Sequence, residues 1–94
     1  MRKYELTIVL DGKTSSTKKN TMARTIEKLV AVSNGKNIRV EEWGIKDLAY
    51  RIRKSTSGLF LHFVVELESE GVKNLINKLK ANDDIIRYLL VKKD

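Results

Sequence analysis

Apolar positions alternate along the first ten residues. Tyr4, Leu6, Ile8 and Leu10 fall on one face of an extended chain, with Glu5, Thr7 and Val9 between them. That pattern predicts a strand covered on at least one side. Asp11-Gly12 ends it, and Lys13 to Asn20 is a polar loop in which Ser15, Ser16 and Thr17 each suit a helix N-cap. The period then changes. Met22, Ile26, Leu29 and Val30 recur at helical spacing while Arg24, Glu27 and Lys28 fall off the stripe, which predicts an amphipathic helix ending near Ser33-Asn34-Gly35. Asn37 to Arg53 is a long strand. Ile38 and Val40 keep one phase, Leu48, Tyr50 and Ile52 keep a later one, and the slip around Glu41-Glu42-Trp43-Gly44 predicts a bulge near Gly44. Lys54 to Gly58 is a turn, and Leu59 to Leu67 pairs back as a hairpin. Ser69 caps a second helix carrying Val72, Leu75, Ile76 and Leu79, Asn82-Asp83-Asp84 stops it, and Ile85 to Lys92 is the last strand.

The order β-α-β-β-α-β contains two βαβ halves. Short right-handed connections make this an α+β, ferredoxin-like sandwich over residues 1–94, a single domain with a four-stranded antiparallel sheet and both helices on one face. In the third strand Leu59, Leu61, Phe63, Val65 and Leu67 form an all-apolar set that belongs under the helices. Phe60, His62, Val64 and Glu66 then line the open face, where Val9 joins them. A contiguous apolar patch there implies a partner, whereas scattered surface hydrophobes need no explanation.

Composition sharpens the picture. Lys and Arg outnumber Asp and Glu by 19 to 12, a net charge of +7 on 94 residues. So large an excess favours a polyanionic partner, nucleic acid before anionic membrane. With no cysteine and one histidine, disulfides, cysteine nucleophiles and multi-histidine metal sites are excluded, and no cofactor is expected. No signal peptide pattern and no apolar run of membrane-spanning length is present, which predicts a cytosolic protein.

Catalytic motifs are missing. The five glycines are isolated rather than clustered into a phosphate-binding loop. Glu41-Glu42 point to opposite faces of a strand, and Asp83-Asp84 is a helix stop. An RNA-binding strand with alternate aromatic platforms is not met either. Phe60 and Phe63 are three apart and face opposite sides, and no basic residue precedes Gly58, so base stacking of that type is not the expected mode. Basic side chains are left to do the work. Arg2, Lys3, Lys46, Arg51, Arg53, Lys54, Arg87 and Lys92 are the candidate RNA contacts, with Arg2, Arg87 and the long hairpin forming one basic border. Arginines on strands suit phosphate best, because the planar fork can bond and stack. Val9, Trp43, Phe60 and His62 are the candidate protein-partner residues. His62 also suits a partly buried neutral packing role, and Trp43 a half-buried one.

Several stretches together resemble one family. They are Met1-Arg2-Lys3-Tyr4-Glu5-Leu6 running to Ile8-Val9-Leu10, Gly44-Ile45-Lys46-Asp47-Leu48-Ala49-Tyr50-Arg51-Ile52, Gly58-Leu59-Phe60 with Val65-Glu66-Leu67, and Leu75 to Leu79 followed by Asp83, Arg87 and Val91-Lys92. The chain resembles the bacterial small-subunit ribosomal protein S-six family. Two departures stand out. Arg51 occupies the place where the family commonly has proline after Ala-Tyr, and the longer, often acidic tail of some members is not seen after Asp94. The resemblance implies a ferredoxin-like fold and no enzymatic activity. It also implies binding to the central domain of small-subunit ribosomal RNA together with ribosomal protein S-eighteen as a heterodimer, with no membrane and no small-molecule substrate. A ferredoxin-like regulatory or metabolite-binding module is the competing reading, and it requires a pocket with convergent polar groups.

Overall fold

β1 runs from Arg2 to Asp11 and buries Tyr4, Leu6, Ile8 and Leu10 on one face, as its alternation predicts. The computed structural model describes residues 2–52 and 54–93, without the side chains of Tyr50 and Ile52. After β1 come α1 (Ser16–Val32), β2 (Lys36–Ile52), β3 (Ser55–Leu67), α2 (Ser69–Lys80) and β4 (Arg87–Lys92). The strands form one antiparallel sheet in the order β2-β3-β1-β4. This is the ferredoxin-like arrangement expected from the sequence.

Both helices cover the same face. Met22, Ile26 and Val30 of α1 and Gly71, Leu75 and Leu79 of α2 are buried there. They meet Leu59, Leu61, Phe63, Val65 and Leu67 of β3, so the all-apolar parity does lie under the helices. Phe63 is the largest fully buried side chain, and removal of such a ring costs about 3–5 kcal/mol.

The ends of α1 follow from local chemistry. Ser15 Oγ accepts from the Lys18 backbone N–H at 3.2 Å. At the other end Gly35 N–H donates to the Val30 carbonyl and Asn34 N–H to that of Ala31, with Asn34 at φ 60. That pair of bonds is a Schellman cap in which asparagine takes the left-handed position. Gly35 serves another need there, since a Cβ on it would lie 2.7 Å from the Glu66 carbonyl oxygen.

Three boundaries differ from the sequence expectation, each for a physical reason. Glu68, not Ser69, occupies the N-cap of α2, and its carbonyl accepts from Gly71 N–H and Val72 N–H. Leu67 is still paired with Arg2, so one residue is all that separates strand from helix. The hairpin turn is also tighter than Lys54 to Gly58. β3 begins at Ser55, and Lys54 takes the positive φ of 68 that closes the turn. Gly58 is paired within the sheet, where a Cβ would stand 2.6 Å from Val9 Cγ1. Lastly, β4 starts at Arg87, because Ile85 turns into the core. The bulge at Gly44 is present. The β2–β3 register shifts between Glu42 and Gly44, and Gly44 has φ +87.

The two helices meet at Gly71. A Cβ there would collide with the Ser33 carbonyl oxygen at the end of α1, and Asn74 Nδ2 donates to Ser33 Oγ beside it. Gly71→Ala gains about 1 kcal/mol of helix propensity. Overpacking of about 1–3 kcal/mol opposes that gain. We therefore expect a net loss of stability, seen as a lower urea midpoint at unchanged slope. A raised midpoint would show that the helices separate freely at this junction.

Candidate nucleic-acid interface

Register decides what the open face carries. Opposite the helices, Lys3, Glu5, Thr7 and Val9 of β1 stand beside Glu66, Val64, His62 and Phe60 of β3. Arg87, Leu89 and Val91 of β4 complete one side. Arg39 and Glu41 of β2 complete the other. Trp43, next after Glu41 on this face and beside the bulge, stacks its ring on His62 with centroids 4.3 Å apart and planes 12° from parallel.

His62 is fixed at both nitrogens. Nε2 lies 3.1 Å from Glu5 Oε1 and Nδ1 3.1 Å from Thr7 Oγ1. A carboxylate only accepts, so Nε2 carries the proton in the neutral ring and Nδ1 accepts from the threonine hydroxyl. Two of the four expected partner residues are thus covered by the chain itself. His62 is 6% exposed under Trp43, and Val9 is 5% exposed against Phe60 and the bare Gly58. Trp43, at 43%, and part of Phe60 remain available. The apolar surface that sequence reasoning missed is on β4, where Leu89 is 61% and Val91 45% exposed. The signal was present. The run Tyr88-Leu89-Leu90-Val91 is apolar in both parities, so one apolar pair had to face away from the core.

The expected basic border does not form as one unit. Arg87 stands opposite Val9, while Arg2 is seven positions back along β1, about 23 Å away at about 3.3 Å per residue. Arg2, Lys3 and Lys92 gather at one end of the sheet, with Arg2 and Lys92 in the helix-side parity and Lys3 on the open face. Lys46, Arg51, Lys54 and Arg87 gather at the hairpin end. Arg53 lies outside the described residues. Lys46 Nζ sits 5.6 Å from the ring centroids of both Trp43 and Phe60. Three cations elsewhere are paired, Lys19 on Glu42 at 2.8 Å, Arg39 on Glu41 at 3.0 Å and Lys18 on Asp84 at 3.7 Å. The four at the hairpin end have no ion pair with any described carboxylate.

Asp11 anchors the base of that hairpin. Its Oδ2 accepts from Ser55 Oγ at 3.0 Å and its Oδ1 from the Lys13 backbone N–H at 2.9 Å, while Gly12 N–H donates to the Ser57 carbonyl. The Lys13 N–H, then the Ser55 hydroxyl, hold its carboxyl below the usual carboxylate range. A cleft of about 300 Å³ lies beside it, lined by Asp11, Lys18, Ser55 and Asp84 among others. Those polar groups are already engaged with one another, so the cleft offers no convergent set for a metabolite. Among the described residues no group of His, Asp and Glu is placed to hold a metal ion, and no helix is long and apolar enough to cross a membrane.

The model of one family, ribosomal protein S6, matches residues 3–92. The chain belongs to the ribosomal protein S6 family. Two relatives are both described as small ribosomal subunit protein bS6. The one from Leptothrix cholodnii is 34% identical over 94 residues, covering 100% of this chain and 77% of its own. The one from Thermus thermophilus is 32% identical over 92 residues, covering 98% and 91%. Among solved structures, the crystal structure of 30S ribosomal protein S6 from Thermotoga maritima matches with a TM-score of 0.90 at 20% identity, over 98% of this chain and 87% of that one. That likeness is one of fold. Membership of the S6 family makes this a structural, non-enzymatic protein of the small subunit of the cytoplasmic ribosome.

Because the folded-state pKa of Asp11 is depressed, its contribution to stability is present above the unfolded value and fades as pH falls through the folded one. Asp11→Ala should therefore melt below the parent chain at pH 7, with the gap narrowing toward pH 2. A gap that stayed constant across this range, read by circular dichroism melts, would remove the carboxylate from the hairpin anchor.

Proposed function

We propose that this chain docks on the central domain of small-subunit ribosomal RNA through Lys46, Arg51, Lys54 and Arg87, jointly with ribosomal protein S-eighteen. The carrying observation is that these four cations lie together at the hairpin end with no ion pair to any described carboxylate, whereas Lys18, Lys19 and Arg39 are each paired. An unpaired exposed cation brings its whole charge to a phosphate and releases a counterion on contact. Arg51 adds a planar fork where the family commonly has proline, so this chain carries one more phosphate ligand on its hairpin. The protein partner meets Leu89 and Val91 on the open face of β4, where two large apolar side chains stand more exposed than Val9 or His62. Asp11, Gly12 and Ser55 hold the hairpin against the sheet and so fix the cations relative to that apolar patch. The whole chain acts as one domain in this role.

Four phosphate contacts predict a log–log salt slope of about −3 to −4 for binding to a central-domain RNA fragment. Lys46→Ala should reduce that slope by about 1 and weaken binding alike for different RNA sequences. A slope near zero would remove the phosphate-contact mechanism. In the same assay Leu89→Asp should weaken capture of S-eighteen by about tenfold or more, equivalent to about 1.4 kcal/mol. Unchanged capture would move the partner off this face.

A further inference from the structure

We propose that Trp43, with His62 beneath it, is a stacking platform for one unpaired nucleobase of single-stranded RNA, with Lys46 taking the phosphate beside that base. The proposal rests on the docking mode above and adds a base contact to a set of phosphate contacts. The inner face of Trp43 is fixed by its near-parallel stack on His62. The His62 ring cannot rotate without losing its contacts to Glu5 and Thr7. Trp43 keeps 43% of its surface exposed on the side of the sheet that no helix covers, with the mobile Lys46 ammonium over the ring. A rigid, flat aromatic loses little conformational freedom when a base settles on it.

Charge selects the occupant. Lys46 already stands 5.6 Å from the Trp43 centroid, and its flexible stem lets the ammonium pass from the ring to an incoming phosphate. Arg87 lies across Phe60 and Val9 on the same face. The carboxylates nearest the platform are engaged, Glu5 by His62 and Glu41 by Arg39. An anionic, planar ligand therefore fits this half of the face, whereas the bare apolar pair Leu89 and Val91 lies on the far strand. Every base presents a π face, so the contact tolerates sequence. It differs from the alternate-aromatic strand motif, because Phe63 is in the core and the platform comes from a bulge in the neighbouring strand.

Trp43 is the sole tryptophan, so its emission reads the site directly. The full chain is titrated with single-stranded oligoadenylate and, in parallel, with an abasic oligomer of equal length. Saturable quenching by the first and little by the second is expected. Trp43→Leu keeps an apolar cover on His62 but removes the π face. It should weaken oligoadenylate binding about 5- to 150-fold by anisotropy, while Trp43→Tyr retains most of it. Thermal melts of each variant separate loss of fold from loss of stacking. Equal quenching by the abasic oligomer, or unchanged affinity in a folded Trp43→Leu chain, overturns the platform and leaves phosphate docking standing. So does a Trp43→Leu chain that loses its protein partner but keeps its RNA. Failure of the parent chain to bind any RNA at low salt overturns the docking mode and the platform together.

Discussion

Period-two alternation in the central strands β1 and β3 is the constraint on which the rest of this molecule hangs. Leu6 faces Phe63 and Ile8 faces Leu61 beneath the helices, so Thr7 must face His62 and Val9 must face Phe60 on the other side. A slip of one residue would turn every one of these side chains over. Burial of ten or so large apolar groups on one face therefore places the functional candidates on the other, without any interaction among the candidates themselves. β2 takes its phase from β3, and its register shifts at three places, between Asn37 and Arg39, between Glu42 and Gly44, and between Asp47 and Ile52. Trp43 keeps the open-face parity of Glu41, two residues before it, and is the extra residue of the shift before Gly44.

His62 shows how a polar group survives under such a cover. A buried donor or acceptor without a partner costs about 1–3 kcal/mol. The β1–β3 register supplies Thr7 directly opposite and Glu5 one step along the same face, so both ring nitrogens are served. The indole above excludes water and strengthens both contacts. The cations at the hairpin end have no such arrangement among the described residues. Lys46 gains about 0.5–1 kcal/mol at most from the aromatic rings beside it. Unpaired like charges on one hairpin work against stability, and a structure that keeps them there is organised for something outside itself.

Much of this was legible in the order of residues. Tyr4, Leu6, Ile8 and Leu10, and the five odd positions from Leu59 to Leu67, identify their buried face because alternation is a local property. The break in phase near Gly44 was legible for the same reason. The hairpin turn was not. Ser55, Thr56, Ser57 and Gly58 have turn-like composition, yet Gly58 is there because β1 passes too close for a Cβ. Nor could the sequence join Trp43 to His62, nineteen positions apart, since the β2–β3 register, with its shifts, decides which part of β2 lies beside His62. The grouping of Arg87 with Lys46 rather than with Arg2 needed the β1–β4 register, which no local pattern encodes. Leu89 and Val91 were visible as apolar residues but not as exposed ones, because β4 is an edge strand only once the strand order is known.

A net charge of +7 says less about RNA than its distribution does. The two basic ends of the sheet lie about 23 Å apart along β1, beyond the screening length of about 8 Å at physiological salt. They therefore attract phosphates almost independently, and their charges cannot simply be summed. At the end away from the hairpin, Lys36, Glu66 and Lys3 stand in one cross-strand row, so the signs alternate and part of the local field cancels. At the hairpin end, Lys46, Arg51, Lys54 and Arg87 outnumber the nearby carboxylates of Asp11, in the cross-strand row of Lys46, and Asp47. Cations are thus in excess where the hairpin projects past β1, beside the half-exposed indole. Position and screening, not the total, decide what an RNA backbone meets at each end, and neither can be deduced from composition.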